Sequence, residues 1–575
     1  MIGLGSTLPP PDLSPARRLE NLAGLANGVL DVLVVGGGIT GSGVALDAAS
    51  RGLSVGLIEA RDFGAGTSSR SSKLIHGGLR YLEQLHFGLV REALRERALL
   101  FEKLAPHLVR PVSFMFPLRR RYIDRVYIGS GLLFYDLLAG TSPGARARFP
   151  RHEHLGRAGA LALAPSLRRE DLRGAIRYFD AEVDDARLVL EVVRTAAAHG
   201  AKVANRVRAV RFLKVGEQVC GVVARDEEAD REFDLRAERV ICAGGVWTEE
   251  LEREAGVQGG LAVRASKGVH LVIDKEHLPL ETGLIARTEK SVLLVIPWGR
   301  HWIVGTTDTE WTSKRFAPVV NSNDIDYLLA HLNAELSIRI TRAEVVATFA
   351  GLRPLLRGRA SSTAELGREH AVAQPIRGLT FVAGGKYTTY RVMATDVLDL
   401  ALSDLGTKAP PSRTENVPMV GVVAASGQSA RLTEIARRSR VRPETLDHLL
   451  GRYGGLVEEV LEVVARDPEM GQPIPGAGDY LLAEARYAAS NEGALHIDDV
   501  LERRTRIAFE YRDRGAAAAE AVGAAMAPVL DWTPSLLNEE VVRYRGRVSA
   551  AQAGELVPSD EAALAEMAVA DSRYD

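Results

Sequence analysis

"DVLVVGGGITGSGVALDAASRGLSVGLIEA", residues 31–60, decides the fold of this chain. An apolar run predicts a strand, and after a glycine turn an Ala-containing segment predicts a helix before a second apolar run. Gly36, Gly38 and Gly41 form G-x-G-x-x-G directly after the first strand, and Glu59 ends the second. In such a unit the glycines allow a tight turn and close approach of a pyrophosphate, while the acid binds a ribose. The stretch therefore predicts a dinucleotide-binding β-α-β unit.

Two later apolar runs also end in Gly-Gly. They are "RVICAGGVWTEEL", residues 239–251, and "LTFVAGGKYTTYRVMATDVLDLAL", residues 379–402. Each predicts a strand, and the second leads directly into a predicted helix. The sequence contains no second G-x-G-x-x-G, so a separate NAD domain is not expected. One permanently held FAD is the economical interpretation.

The order of these elements predicts an α/β fold. We expect a discontinuous Rossmann-like FAD-binding domain with an inserted α+β substrate domain and a helical C-terminal domain. Asp184 or Asp185 is expected to cap a helix of the FAD-binding domain, and a small antiparallel meander should follow. The predicted units are a disordered leader (1–28), the FAD-binding domain (29–110, 184–254 and 376–406), the substrate domain (111–183 and 255–375), the helical domain (412–548) and a tail (549–575).

The composition excludes several classes of protein. The chain has 575 residues, 46% of them hydrophobic, and a net charge of −2, which gives no global field for binding nucleic acid. Cys220 and Cys242 are its only cysteines, so neither a zinc ribbon nor a dithiol relay is expected, and a reducing cytoplasm fits. We expect no metal site and no membrane-spanning segment.

One segment leaves two interpretations open. "RRRYIDRVYIGSGLLFYDLLAG", residues 119–140, sets basic residues beside an apolar run. It could contact a membrane surface, or it could form a helix that docks on the core while its arginine side chains reach water.

A second stretch, "GTSSRSSKLIHGGLRYLE", residues 66–83, predicts a ligand-binding loop. It combines five small hydroxyl side chains, a lysine, a histidine, paired glycines and two arginines. Serine and glycine are poor residues for the interior of a helix or strand, and His-Gly-Gly interrupts either.

Several motifs together resemble the FAD-dependent glycerol-3-phosphate dehydrogenases, over about residues 31–548. Besides the two stretches above, they are "VDDARLVL" (183–190), "IPWGRHWIVGTTDTEW" (296–311), "FAGLRPLL" (349–356), "GGKYTTYR" (384–391) and "NEGALHIDDVLERRTRIAFE" (491–510). The resemblance implies oxidation of sn-glycerol 3-phosphate at C2 to dihydroxyacetone phosphate, hydride transfer to FAD and electron transfer to a quinone. It also implies a cytoplasmic protein, peripheral on the inner face of the cell membrane, and leaves a homodimer open.

The resemblance assigns substrate-binding and catalytic residues. Arg80, Tyr81, Arg353 and Arg368 match the phosphate-binding positions of the family, and arginine's planar fork suits a phosphate dianion. Oxidation at C2 needs a base for the hydroxyl proton, and histidine titrates near neutrality. His76 is the first candidate, and His270, in the predicted strand "SKGVHLVID", is the second.

The remaining expected site residues face the cofactor. Hydroxyls and backbone N–H groups of a Ser/Gly loop can satisfy the pyrophosphate and the flavin carbonyls, and the start of the last helix can stabilise negative charge on the flavin. Besides the first glycine turn and Glu59, the expected cofactor residues are Ser68, Ser69, Ser72, Lys73, Leu74, Gly384, Gly385, Lys386 and Thr388. We interpret Asp308 as structural.

Two other functions compete with this one. The same fold could belong to a glycerophosphate oxidase that uses oxygen, or to an amine or amino-acid oxidase; the arginines favour a phosphate substrate. A protein whose C-terminal helices bind a partner is the third alternative, because "LTEIARRSRVRPETLDHLLGRYG", residues 432–454, resembles a helix–turn–helix. The balanced charge argues against nucleic-acid binding through its arginines, Arg437, Arg438, Arg440 and Arg442.

Overall fold

The protein is described here from a computed structural model. The residues that the structure describes are 11–78, 86–119, 123–139, 149–257, 260–288, 292–313, 318–356, 369–403, 410–423, 434 and 441–570.

The strands of these residues are β1 (Val29–Val35), β2 (Val55–Glu59), β3 (Leu74–Ile75), β4 (Val109–Leu118), β5 (Glu153–Gly156), β6 (Gly174–Val183), β7 (Lys202–Asn205), β8 (Val207–Val215), β9 (Gln218–Asp226), β10 (Arg231–Cys242), β11 (Val263–Asp274), β12 (Gly283–Arg287), β13 (Val292–Trp298), β14 (His301–Gly305), β15 (Thr309–Glu310), β16 (Val345–Leu356), β17 (His370–Ile376), β18 (Leu379–Gly384), β19 (Pro473–Ile474) and β20 (Ala477–Leu481).

The α-helices are α1 (Pro15–Ala26), α2 (Ile39–Ser50), α3 (Phe87–Leu99), α4 (Ile123–Ala139), α5 (Arg157–Leu163), α6 (Asp185–Ala198), α7 (Thr248–Glu254), α8 (Ser322–Glu335), α9 (Tyr390–Leu402), α10 (Pro443–Tyr453), α11 (Val457–Arg466), α12 (Leu482–Asn491), α13 (Ile497–Asp499), α14 (Ile507–Glu510), α15 (Ala519–Leu530), α16 (Pro534–Gly554) and α17 (Asp560–Ala570).

The first sheet has the order β17-β18-β10-β1-β2-β7, and β1 pairs in parallel with both β2 and β10. β1 is fully buried at Val32, Leu33 and Val34, as expected for a parallel strand covered on both faces. Helices α2, α6 and α9 pack on one face, and α1 with the antiparallel β8–β9–β10 meander covers the other. Asp184 caps α6 by accepting from the Arg187 N–H at 3.2 Å. The predicted meander and helix cap are confirmed.

The second sheet is mostly antiparallel, with the order β15-β11-β14-β13-β12-β4-β6-β3. β16 pairs with β11, so that Arg353 lies opposite Ser266 and Phe349 lies opposite His270. Helix α8 packs against one face of this sheet. The predicted inserted α+β unit is therefore a twisted sheet that presents β11 and β16 to the first sheet.

Helices α10 to α16 form the C-terminal region around a core of its own. α16 continues to Gly554, beyond the predicted boundary at residue 548, and α17 follows in the predicted tail. The side chain of Lys267 on β11 binds Asp560 of α17 at 2.5 Å, so the tail packs against the second sheet.

The predicted disordered leader is wrong for residues 11–26. Ser14 caps α1, Pro15 occupies its first turn, and Leu22 and Leu25 are buried. Arg18 also forms a buried ion pair with Asp226 at 2.6 Å. The apolar face and this ion pair order the segment despite the prolines that precede it.

Helix α4 docks on the core and also carries exposed apolar side chains. Leu132 and Tyr135 are buried, whereas Val126 is 70% exposed and Leu137 is 54% exposed. Among the described helices, none has the length and apolar character needed to cross a membrane.

Candidate functional site

A cavity of about 740 Å³ lies where β1, β10 and β18 end and the second sheet begins. Ligands of open α/β sheets bind at such carboxyl ends, and this volume is within the ~300–1,000 Å³ range of small-molecule sites. Both Gly-Gly turns, the loop at residues 66–76 and the strands β11 and β16 line it.

The first glycine turn leaves no room for side chains. Gly36 has φ +109°, and a Cβ there would lie 2.6 Å from the Ala243 carbonyl oxygen. A Cβ on Gly41 would lie 1.8 Å from the Gly36 oxygen. Gly38 lines the cavity at the start of α2. The turn therefore brings bare backbone and a helix N-terminus to the cavity, as binding of a pyrophosphate requires.

Glu59 lies at the end of β2 in the cavity wall. Its carboxylate accepts from the N–H groups of Gly37 at 2.7 Å and Arg61 at 2.8 Å. Burial raises the pKa of Glu59, and these two hydrogen bonds oppose that shift. The acid is thus fixed by the glycine turn, in the position expected of a ribose acceptor.

The second turn comes from β18 and α9. Gly384 and Gly385 have φ +77° and +82°, and a Cβ on Gly385 would meet the Met393 sulfur at 2.4 Å. Lys386 and Thr388 line the cavity beside them. The Thr388 hydroxyl oxygen accepts from the His76 N–H at 3.2 Å, which joins this turn to the serine-rich loop.

The serine-rich loop presents several polar groups. The Ser68 hydroxyl oxygen accepts from the Ile39 N–H at 3.0 Å, in the first turn of α2. Ser72 lies 2.9 Å from His270 Nε2, oxygen to nitrogen. Leu74 also lines the cavity. The Ser69 hydroxyl is buried, has no hydrogen-bond partner among the described residues and does not line the cavity.

The expectation that the Lys73 side chain faces the cofactor is wrong. Lys73 has φ +55°, and its Nζ donates to Asp185 Oδ1 at 2.7 Å and to the Ser69 carbonyl at 3.2 Å. The ammonium also lies 5.3 Å from the centre of the Phe349 ring. The side chain is buried and does not line the cavity. A buried ammonium needs a carboxylate partner, and Asp185, which does not line the cavity either, provides it.

His270 is a buried residue of β11 whose ring stacks on Phe349 at 4.7 Å between centroids. Burial, followed by the positive charges of Arg353 and Lys73, lowers the pKa of His270 well below its usual value. The imidazole is therefore neutral at physiological pH. Its Nδ1 has no hydrogen-bond partner among the described residues.

Arg353 reaches the cavity from β16. Its Nη2 donates to Thr306 Oγ1 at 2.9 Å and its Nη1 donates to the Thr307 carbonyl at 3.2 Å. The Asp308 carboxylate lies 3.9 Å from Nη1. A Cβ on Gly268 would come within 2.5 Å of Nη2, so glycine is needed at that position of β11. The arrangement orients a cation beside the neutral His270.

Arg80, Tyr81 and Arg368 lie outside the described residues, as do three arginines of the helix–turn–helix-like segment, Arg437, Arg438 and Arg440. His76 lines the cavity beside Thr388. Asp308 accepts a hydrogen bond from the Ser266 hydroxyl, in agreement with a structural role.

The cavity also contains residues that the sequence did not single out. Arg70 and Trp247 line it from two different loops, and His496 reaches it from the C-terminal helices. Trp247 follows the Gly-Gly of "CAGGVW", so its position after a predicted strand was an available signal. No sequence pattern pointed to His496, because tertiary packing alone brings the C-terminal region to the cavity.

These features fit a dinucleotide flavin. Two properties argue for this fit: a glycine turn that leaves bare backbone and a helix N-terminus at the cavity, and an anchored acid at the end of β2. The fold and the site define an FAD-dependent oxidoreductase. The family model "FAD dependent oxidoreductase" matches residues 31–391, and "C-terminal domain of alpha-glycerophosphate oxidase" matches residues 412–536.

Similar proteins indicate which family of FAD-dependent oxidoreductases the chain belongs to. The chain is 47% identical to glycerol-3-phosphate dehydrogenase 2 of Mycobacterium tuberculosis over 97% of this chain and 95% of that protein. It is 46% identical to the glycerol-3-phosphate dehydrogenase of Mycobacterium leprae, over 97% and 94%. The structure of the Bacillus halodurans glycerol-3-phosphate dehydrogenase complexed with FAD matches with a TM-score of 0.77 at 30% identity, over 95% and 99%. The chain belongs to the FAD-dependent glycerol-3-phosphate dehydrogenase family, which confirms the predicted family, fold class and cofactor.

Proposed function

We propose that this protein oxidises sn-glycerol 3-phosphate at C2 to dihydroxyacetone phosphate and passes the electrons through FAD to a quinone. The observation that carries the proposal is the convergence of Arg353 and a neutral His270 on the cavity that fits FAD. The names of the related dehydrogenases support the same substrate.

Arg353 is proposed to bind the phosphate. Its guanidinium is fixed by oxygens of Thr306 and Thr307 and is about one fifth exposed, with 18% of its side-chain surface accessible. A fixed planar fork binds phosphate oxygens in bidentate fashion with little loss of side-chain freedom. Arg80, Tyr81 and Arg368 are proposed to contribute to the same phosphate site.

His270 is proposed as the base in preference to His76. The neutral imidazole has one unprotonated nitrogen, and Phe349 and Ser72 hold the ring in place. In the proposed step the C2 hydroxyl proton moves to this nitrogen, the C2–H bond breaks with its electron pair, and the C2–O double bond forms. FAD, when bound, supplies the acceptor for that hydride. When His270 takes the proton from the C2 hydroxyl, its imidazole becomes positively charged. The negative charge of the substrate phosphate offsets this charge.

The glycine turns and the serine loop are proposed to hold FAD. Gly36, Gly38 and Gly41 would bind the pyrophosphate through backbone, and Glu59 would accept from the ribose. The other proposed contacts are those of Ser68, Ser69, Ser72, Leu74, Gly384, Gly385, Lys386 and Thr388. Lys386 and the helix start that follows it would stabilise negative charge on the flavin.

Peripheral contact with the inner face of the cell membrane is part of the proposal. Helix α4 supports it, because Val126, Tyr127, Leu133 and Leu137 are each more than half exposed on one helix. Exposed apolar side chains of this kind insert into the interfacial region of a bilayer. A homodimer stays a prediction of the sequence.

Anaerobic reduction of the purified yellow protein tests the proposed function. We expect sn-glycerol 3-phosphate to bleach the flavin spectrum, whereas glycerol and sarcosine at the same concentration do not. A quinone analogue should then restore the oxidised spectrum faster than dissolved oxygen does. Rapid recovery with oxygen alone would favour the glycerophosphate oxidase, and bleaching by sarcosine would favour the amine oxidase.

A further inference from the structure

A second cavity of about 590 Å³ lies beside the FAD cavity. It is lined by residues of β16, the loop at residues 65–70, and the C-terminal helices α14, α16 and α17. Its volume is typical of a site for a small organic ligand.

The side chains around the second cavity are mainly apolar. They include Trp247, Phe349, Phe509, Val548, Leu564 and Met567. A mainly apolar lining favours apolar ligands over ions, because an ion loses its hydration there. A dianionic phosphate ester is therefore a poor ligand for the second cavity.

Three arginines of the second cavity are paired with carboxylates. Arg514 binds Glu555, Arg70 binds Glu502, and Arg547 lies 3.1 Å from an oxygen of Asp498. The Tyr544 hydroxyl donates to the Arg514 carbonyl at 2.6 Å. A neighbouring carboxylate thus balances each of these three arginines, which favours an uncharged ligand.

Only one layer of chain separates the two cavities. Gly66, Thr67, Arg70, Trp247, Gly351 and Leu352 line both of them. Within this wall the Thr67 hydroxyl donates to the Leu352 carbonyl at 2.6 Å. A Cβ on Gly351 would lie 2.5 Å from the Arg70 carbonyl oxygen, so the two backbones are in direct contact. A ligand in the second cavity would therefore lie next to the FAD cavity.

We propose that the second cavity binds a neutral, aromatic quinone that reoxidises the flavin. This inference rests on the proposed function, since a dehydrogenase with a tightly held FAD needs a second substrate to accept its electrons. The quinone gains two electrons and two protons and becomes the hydroquinone, while the reduced flavin loses two electrons. The protons come from the reduced flavin and from solvent.

Filling the second cavity tests this site. Ala551 of α16 lines it, whereas Ala553 of the same helix does not. We expect Ala551→Trp to weaken binding of 2-methyl-1,4-naphthoquinone to the oxidised holoenzyme by about tenfold or more in calorimetry. Reoxidation by this quinone should slow in parallel, while reoxidation by ferricyanide and flavin bleaching by glycerol 3-phosphate should not change. Ala553→Trp is the matched control and should behave like the wild type.

The outcomes separate the two proposals. Wild-type quinone affinity in Ala551→Trp would overturn the second-cavity site. Failure of glycerol 3-phosphate to bleach any variant would contradict the proposed function, and the calorimetry would still decide whether the cavity binds the quinone. If Ala551→Trp does not fold, Ala551→Leu provides a smaller filling. It should weaken quinone binding in the same direction, and an unchanged affinity in Ala551→Leu would also overturn the site.

Discussion

Buried charges at the C-terminal interface, where Asp62 of the FAD-binding domain meets Arg503 and Arg504 of the C-terminal region, are paired differently from those in the FAD cavity. At the interface, the Asp62 carboxylate binds Arg503 at 2.6 Å and Arg504 in bidentate fashion at 2.7 and 2.8 Å. In the cavity, Arg353 donates to the oxygens of Thr306 and Thr307 and forms a longer ion pair with the Asp308 carboxylate, at 3.9 Å.

This difference indicates which cations have a structural role. A guanidinium held by a carboxylate at hydrogen-bond distance has its charge balanced within the fold, so its removal leaves a buried anion. The Arg353 guanidinium lines the cavity, where an anionic ligand can contact its planar fork. The interface arginines are therefore expected to affect stability, and the cavity residues are expected to affect the reaction.

The largest effect is expected for His270. His270→Asn should slow flavin reduction by glycerol 3-phosphate by about 10²–10⁴-fold, because the proposed base is lost while a polar group stays near Ser72. Anaerobic stopped-flow absorbance measures the rate. His76→Asn is the companion variant, and a larger decrease there would transfer the role of base to His76. The unfolding free energy of both variants should stay near that of the wild type.

Arg504→Met should act on stability instead. We expect the unfolding free energy to fall by about 3–5 kcal/mol, since the Asp62 carboxylate loses its bidentate partner inside the protein. Urea denaturation followed by circular dichroism measures this change. Arg211→Met is the control, because the Arg211–Glu232 pair is exposed and should contribute less than about 1 kcal/mol. Equal effects of the two substitutions would contradict the distinction drawn here.

The pKa of His496 predicts that the stability of the protein depends on pH. It lies between Glu228 of the meander and Glu540 of α16, at 3.0 Å from each. Its pKa is raised to about 9: burial and Arg206 act to lower it, and the two carboxylates outweigh them. The stabilisation is therefore complete below about pH 6.5 and is lost as the pH rises through about 9.

The wild type should lose up to roughly 3 kcal/mol of unfolding free energy over this interval. Urea titrations at several pH values measure the slope. His496→Gln should remove most of it, while the exposed His277→Gln should retain it. The same slope in His496→Gln would show that another group is responsible.

The smallest effect concerns Ser72. Ser72→Ala removes one hydrogen bond to His270 and should slow flavin reduction by about fivefold, equivalent to about 1 kcal/mol. Ser50→Ala on α2, whose hydroxyl donates to the Asp47 carbonyl, is the control and should leave the reduction rate unchanged. A decrease in both variants would indicate a general loss of order.

The sequence was informative where a local pattern determines the structure. The glycines at 36, 38 and 41 and the acid at 59 are specified by the backbone geometry of one β-α-β unit. The helix α1 also had a local signal, Ser14 followed by Pro15, which the prolines of the leader obscured.

Distant partners could not be predicted in this way. Lys73 lies in a loop that otherwise faces the cavity, yet its side chain binds Asp185, 112 positions away in the sequence. Its neighbour Ser72 faces His270, 198 positions away. Residue type and spacing do not determine which of two adjacent side chains meets the core and which meets the cavity.

The most direct test of the account compares two substrates in one variant. Anaerobic stopped-flow measurement gives the second-order rate constant of flavin reduction for sn-glycerol 3-phosphate and for glycerol. The wild type should prefer the phosphate ester strongly, and Arg353→Met should lose about 2–4 kcal/mol of that preference while it keeps FAD and its stability. An unchanged preference in Arg353→Met would contradict the assignment of the cavity cation to the phosphate.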